Sequence, residues 1–398
     1  MHKQDNEIAY SSLLAAPVAI GLFLLACVVS AFVERAALAA FFGFVFTLLL
    51  CSYAWGRFSV RKLTYAIDAP STGVFPGQTI RFTRTLHNQK LLPLIWIEVI
   101  EPYEPYGCAA PESRFVAGGR CVYKFSMLRW HQKLSFTDEW AAVRRGVHSI
   151  DAVSLRSGDG LGLCVRSKTA WQEPVRRFSV YPKMVDVSVE KVLRDMWETC
   201  SASCGYLEDV TLLRSVREYL PSDPAKRINQ RLLARGQGLM VNRYETAAPG
   251  NVLFVLDAAS FAGKDAEHFE EALSIAASLI MGLCQRGIRA GIAVPASMYF
   301  PETFVQPSSG RAELLHMLEL LSAADQENPP LRGPLPVTSP ELIGQTYYVA
   351  HNFDDSTDLR LLAPFPAAKV RLLLWNADGA YNLSGLRAEA VQNFRRFR

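Results

Sequence analysis

The chain of 398 residues lacks the short motifs that announce common enzyme chemistry. It has no Gly-x-x-x-x-Gly-Lys-Ser/Thr phosphate loop, no His-Glu-x-x-His and no Gly-x-Ser-x-Gly elbow, which removes the usual signatures of P-loop nucleotide hydrolysis, zinc peptidases and serine hydrolases. His316 and His351 are isolated, with no evident Ser or Cys nucleophile as partner. Charge of one sign is equally scarce. With 42 Lys+Arg against 38 Asp+Glu, interleaved throughout, there is no one-sided basic stripe, and no nucleic-acid partner is expected. The 8 cysteines form no dense framework. Cys200 and Cys204 are spaced as half of a metal site, but no second Cys/His pair accompanies them. The cysteines are therefore expected to be small buried hydrophobes in a reducing compartment.

Two stretches lack charge altogether. Leu13–Phe32 and Ala36–Trp55 contain no charged residue, and each supplies the roughly 20 residues that a membrane-spanning helix needs. Glu34-Arg35 between them predicts a tight turn, so residues 1–57 are expected to be a two-helix transmembrane hairpin. A cleaved signal peptide, with Lys3 as its basic end and Ala36–Ala40 as its cut site, would have an apolar core of only about 7–15 residues. A buried soluble hairpin is disfavoured by the same lengths. Arg57, Arg61 and Lys62 follow the second run and predict that the remainder of the chain lies on the cytoplasmic side.

From residue 58 to 185 the texture becomes short alternating runs broken by Gly and Pro. Thr79–Leu86, Leu94–Ile100 and Val122–Leu128 read as strands, with turns at Phe75-Pro76-Gly77 and Gly118-Gly119, and the whole predicts an antiparallel β-sandwich. Arg144-Arg145-Gly146 reads as a solvated strand edge rather than an anion grip. Residues 186–398 predict a mostly parallel, doubly wound α/β domain. It opens with an amphipathic helix from Lys191, and the core is Val252–Leu256 as strand, Phe269–Gln285 as helix, Ala290–Val294 as strand, Ala312–Ser322 as helix, and Tyr347–Ala350 and Val370–Trp375 as strands. Asn328–Pro340 reads as a Pro-rich surface loop.

The chain is organised around Arg214–Asp257, where a basic, loop-like segment leads to a buried strand ending on an acid. The ordered features are Arg217-Glu218-Tyr219, the turn Pro221-Ser222-Asp223-Pro224, Lys226-Arg227-Ile228, Leu232-Leu233-Ala234-Arg235, Leu239-Met240-Val241 and the strand closing on Asp257. In this order they resemble the bacterial domain-of-unknown-function-58 family, whose C-terminal part resembles a von Willebrand factor A domain. Ser222-Asp223 stands where that family has Gly-Asp, and Ile228-Asn229-Gln230-Arg231 where it has Ile-His-Trp-Lys, so this is a divergent member. A second segment is similar to the same family: Phe75-Pro76-Gly77, His87-Asn88, Leu92-Pro93-Leu94, Arg144-Arg145-Gly146-Val147, Ser157-Gly158-Asp159 and Val180-Tyr181-Pro182.

A working von Willebrand-type metal site has Asp-x-Ser-x-Ser after the first strand. Here the matching residues are Asp257, Ala259 and Phe261, and both hydroxyls are gone. Asp354 in a later loop is a weak second carboxylate. Two carboxylates make a poor octahedral oxygen cage, so no cofactor is expected and Mg²⁺ is disfavoured. Candidate partner-binding residues are instead Arg217, Glu218, Tyr219, Asp223, Arg227, Arg231 and Arg235. They form either an internal ion-pair network or a docking surface, and the sequence leaves the choice open. The resemblance implies a bacterial inner-membrane protein acting with a MoxR-type AAA+ ATPase on an unknown client protein. The expectation is a non-enzymatic, membrane-tethered interaction protein; the alternatives are a metal-dependent ligand-binding domain and a hydrolase with an unrecognised site.

Overall fold

The structure is a computed structural model. It describes residues 7–11, 17–70, 72–102, 108–109, 115–117, 120–202, 208–246, 251–337, 339–353, 358–376, 381–383 and 385–396. The predicted turn at Gly118-Gly119, the start of the first apolar run at Leu13, Cys204 and Asp354 lie outside the described residues. The chain divides into two compact units, Met1–Tyr181 and Pro182–Arg398.

Among the described residues, the first unit contains helices α1 (Pro17–Phe32) and α2 (Ala36–Ser59) and ten strands. Phe23 packs against Phe42 and the Cys27 Sγ–H points to the Ala39 carbonyl, so the two helices fold back on each other about Val33-Glu34-Arg35. Among the described residues one helix, Ala36–Ser59, is long and apolar enough to cross a bilayer; α1 has 16 residues. Only 11% of the most apolar window of α2 is buried within the chain, whereas the core helix of a soluble domain is mostly buried.

The strands form a sandwich. They are β1 (Glu7–Ser11), β2 (Leu63–Asp68), β3 (Thr79–Asn88), β4 (Ile97–Pro102), β5 (Cys108–Ala109), β6 (Phe115–Ala117), β7 (Arg120–Phe125), β8 (Lys133–Ala142), β9 (Gly146–Gly158) and β10 (Cys164–Val180). One sheet runs β1-β10-β9-β4-β7-β6 and the other β2-β3-β8-β5, antiparallel throughout. Alternation carries the core. Ile80, Phe82 and Leu86 point in from β3, against Trp140 of β8 and Phe178 of β10. The expected edge role of Arg144 and Arg145 does not hold: they stand in the β8–β9 turn, and β9 is an interior strand.

The second unit holds a seven-stranded sheet and a separate two-stranded ribbon. Its elements are α3 (Val189–Ala202), β11 (Glu208–Glu218), α4 (Gln230–Ala234), β12 (Met240–Thr246), β13 (Asn251–Leu256), α5 (Ala266–Gln285), β14 (Arg289–Ala293), β15 (Phe304–Ser308), α6 (Arg311–Ala323), β16 (Ile343–Ala350), α7 (Asp358–Leu362), β17 (Val370–Leu374), β18 (Tyr381–Leu383) and β19 (Leu386–Ala390). The sheet order is β15-β14-β13-β16-β17-β19-β18, with the five central strands parallel and both edge strands antiparallel. β16 and β17 are buried at every residue, as a sheet covered on both faces requires. Leu361 and Leu362 of α7 cover one face. On the other, α3 is bound through ion pairs: Arg371 of β17 reaches Asp195 and Glu198 at 3.4 and 3.5 Å, and the Tyr347 hydroxyl donates to Asp195 at 2.9 Å.

Candidate functional site

The stretch read from sequence as a basic loop is a projecting ribbon with a folded tip. Arg214–Glu218 belongs to strand β11, which pairs antiparallel with β12 through Val216↔Asn242 and Glu218↔Met240. The loop expectation fails there because β11 pairs only with β12, in a sheet separate from the main one, where apolar alternation is not the signal that marks a strand. Residues 219–239 form the tip. The Arg217 guanidinium donates to Asp223 Oδ1 at 2.6 Å and to the Glu218 carbonyl at 3.1 Å, and the Leu220 N–H donates to Asp223 Oδ2 at 3.0 Å. These bonds, the Arg217 one first, hold the Asp223 carboxyl below its ordinary range.

After Pro224, a single 3-10 turn (Ala225–Arg227) leads to Asn229, which organises the other half of the tip. Its Oδ1 accepts from the Arg231 and Leu232 N–H groups, both at 3.1 Å, and so caps α4. Its amide donates to Asn242 Oδ1 at 2.7 Å, tying the cap to β12. Gly236, at φ +72, closes the helix in the left-handed conformation.

The candidate residues thus divide into two groups. Arg217 and Asp223 are paired, the Glu218 backbone carbonyl joins them, and the charge of Arg227 also acts on Asp223, so these brace the tip internally. Tyr219 is half-buried, and its N–H donates to the Leu239 carbonyl at 2.9 Å. Arg231 and Arg235 face solvent on α4, together with Lys226 and the exposed side chains of Leu220, Leu233 and Leu239. Sequence reasoning singled out the cations and missed these leucines and Asn229; the spacing Asn229-x-x-Leu232 before a Gly-terminated helix was the available signal.

Asp257 lies at the carboxyl end of β13, where the chain order reverses between β14 on one side and β16 on the other. Such a switch point is the usual ligand crevice of an open α/β sheet. Here it is stapled shut. Ser260 Oγ donates to the Asp257 carbonyl at 2.7 Å and accepts from the His351 N–H at 2.9 Å, joining the loop after β13 to the end of β16. Phe261 is fully buried against Phe269 and edge-on to His351, and His268 stacks on Trp375 with ring centroids 4.7 Å apart. Ala259 and Phe261 offer no side-chain oxygen, and the Ser260 hydroxyl is already engaged. This donor set does not fit the octahedral oxygen shell of Mg²⁺. Among the described residues, no group of three or more His, Cys, Asp or Glu is placed to hold a metal ion.

Residues 215–339, from the ribbon through α6, match the profile of a family described as a protein of unknown function, DUF58. Over that stretch the chain is similar to the DUF58 family. It is also 26% identical over 268 residues to the uncharacterized protein YeaD of Bacillus subtilis, a match covering 67% of this chain and 64% of that protein. The chain thus spans less than two thirds of that relative's length. Similar solved structures include a CARDB domain from Pyrococcus furiosus, solved in complex with di-metal ions (10% identity, 28% of this chain, 92% of that one, TM-score 0.17). Another is an exo β-N-acetylglucosaminidase from Vibrio harveyi (12% identity, 50% of this chain, 31% of that one, TM-score 0.21). At such TM-scores neither bears on the chemistry of this chain.

Proposed function

We propose that this protein is a non-enzymatic, membrane-anchored interaction protein whose partner surface is the outer side of the β11–β12 tip, and that its C-terminal unit is a von Willebrand factor A-like domain without the metal. The observation that carries this reading is the division within the tip. Arg217–Asp223 and Asn229 fix its shape internally, while Arg231, Arg235, Leu220, Leu233 and Leu239 are left outward on the rigid result. Exposed leucines on the same tip as two exposed arginines are the composition of a protein-binding patch rather than of a solvated loop. The Ser260–His351 bond and the Phe261 packing support the same reading, because among the described residues they tie the loop after β13 to the end of β16 beside Asp257.

Anchoring is supported by α2 and by the placement of β1. β1 precedes the helical pair and β2 follows it, and both are strands of one sandwich. A helix pair that starts and ends in the same soluble domain enters and leaves a bilayer on one side, which favours a hairpin over a single pass. Arg57, Arg61 and Lys62 beside the end of α2 support a cytoplasmic location for that side.

By the family resemblance, the partner is a MoxR-type AAA+ ATPase acting on a client protein. Affinity purification of the full-length protein in mild detergent with Mg²⁺-ATP, beside a variant carrying Arg231→Glu and Arg235→Glu, tests this. Recovery of a AAA+ ATPase with the wild type, and its loss from a variant of unchanged thermal melt, is expected. Equal recovery with both would move the docking surface off the tip.

A further inference from the structure

We propose that the helix-bearing end of the β-sandwich is itself a lipid-contacting face, its loop tips seated in the interfacial layer of an anionic bilayer beside α2. This rests on the membrane-anchored reading above and adds a second contact with the membrane to the helices.

The strand pairing defines the face. β2 begins opposite the end of β3, β3 ends opposite the start of β8, β4 begins opposite the ends of β7 and β9, and the start of β10 pairs with the end of β1. The segments 57–62, 89–96, 126–132 and 159–163 therefore all lie at the end from which α2 emerges. Hydrogen bonds fix them there. The Ser52 hydroxyl donates to the Asp159 carboxylate at 2.5 Å, the Lys90 ammonium to the Ser59 carbonyl at 2.5 Å, and the Trp96 indole to the Asp159 carbonyl at 3.0 Å. Leu94 and Leu128 bridge two of the loops.

Two properties single out this end. Exposed large apolar side chains of the sandwich concentrate on it: Leu91, Ile95, Met127, Trp130 and Leu161 are between 42% and 77% exposed. Among the described residues of the sandwich, Val143 is the one such side chain elsewhere, in the β8–β9 turn at the far end. The same four segments carry five cations, Arg57, Arg61, Lys62, Lys90 and Arg129. Their single acid, Asp159, is buried on Ser52 and the Cys164 N–H. Protruding apolar tips among cations, with a tryptophan, are the composition of a surface that enters the headgroup layer of an anionic leaflet.

Depth agrees. Ile95 and Leu161 line a 380 Å³ groove together with Phe44, Thr47, Leu48 and Trp55 of α2, so these loop tips lie level with turns of the helix that belong in hydrocarbon.

The test uses the full-length protein in nanodiscs containing anionic phospholipid, with a small fluorescent amino acid placed in turn at positions 44, 130, 143 and 161. Phospholipids brominated high on the acyl chain serve as quenchers. Quenching at 44, 130 and 161, with none at 143, is the expected result. Quenching at 44 with none at 130 and 161 overturns the inference and leaves the anchor standing. Absence of quenching at 44 refutes the anchor and this face with it, and quenching at all four positions shows that the contact is not specific to this end. Arg61→Glu, Lys62→Glu and Arg129→Glu together are expected to reduce quenching at 130 at least twofold; unchanged quenching overturns the electrostatic part.

Discussion

Arg84 shows how one side chain can set the character of a core. Inward positions on β3 are the even ones, Ile80, Phe82 and Leu86, and Arg84 falls in the same register with no exposure. Its guanidinium forks onto Glu101 at 2.8 and 2.9 Å and lies over the rings of Tyr123 and Trp140, while the Tyr65 hydroxyl also donates to Glu101. Burial, with the Glu101 charge second, raises the Tyr65 hydroxyl well above its ordinary range. Removing one partner leaves a buried uncompensated charge, so Arg84→Met is expected to cost about 3–5 kcal/mol in denaturant melts. A double variant, Arg84→Met with Glu101→Met, should recover part of that loss. Glu190 presents the surface counterpart. Its hydrogen bond from Arg286, with Arg396 contributing, pulls its carboxyl to about 2. A depressed folded value gives stability that is present above the unfolded value near 4.5 and is lost as pH falls toward about 2. Melting temperatures followed across that window should fall less steeply in Glu190→Gln than in the wild type.

At the scale of elements, legibility followed burial. β13, α5, β14, α6, β16 and β17 were readable because each presents a continuous or periodic apolar face to a covered sheet. β11 and β12 were not, since a two-stranded ribbon outside the core owes its pairing to backbone bonds and to the folded tip rather than to a pattern of side chains. Arg84 was legible in principle as a charge in an inward register. The degenerate metal loop was readable directly from Ala259 and Phe261, but the staple made by Ser260 and His351 was not, because it joins residues 91 positions apart. The closed loop predicts that Phe261→Ser, which restores a hydroxyl position, loses about 3–5 kcal/mol from the core and gains no Mg²⁺-dependent rise in melting temperature. In the tip, the two groups of cations should separate by experiment. Arg231→Glu with Arg235→Glu is expected to leave the thermal melt within about 1 °C, as exposed positions do, whereas Arg217→Ala frees Asp223 and should speed protease cleavage between residues 219 and 239.

Across the first unit as a whole, the helices are built into the sandwich rather than tethered to it. A Cβ at Gly56 of α2 would stand 2.4 Å from Cys164 Sγ and 3.1 Å from the Cys164 carbonyl, whereas one at Gly21 of α1 would meet nothing within 4 Å. Gly56→Val is therefore expected to pry α2 from β10 and make the sandwich protease-sensitive in detergent, while Gly21→Val leaves the digestion pattern unchanged. β1 extends the same logic to biosynthesis. Its partner on β10 is made some 150 residues later, with Ser11 opposite Cys164 and Glu7 opposite Lys168, so this edge of the sheet is sealed only when the chain before the helices lies beside the chain after them. A nascent protein whose helices failed to insert together would strand β1 on the wrong side and leave β10 as a bare, pairing-competent edge. On the membrane-anchored reading proposed above, completion of the sheet would then depend on the two helices inserting together, and a chain that lacked β1 would expose β10 to aggregation or proteolysis.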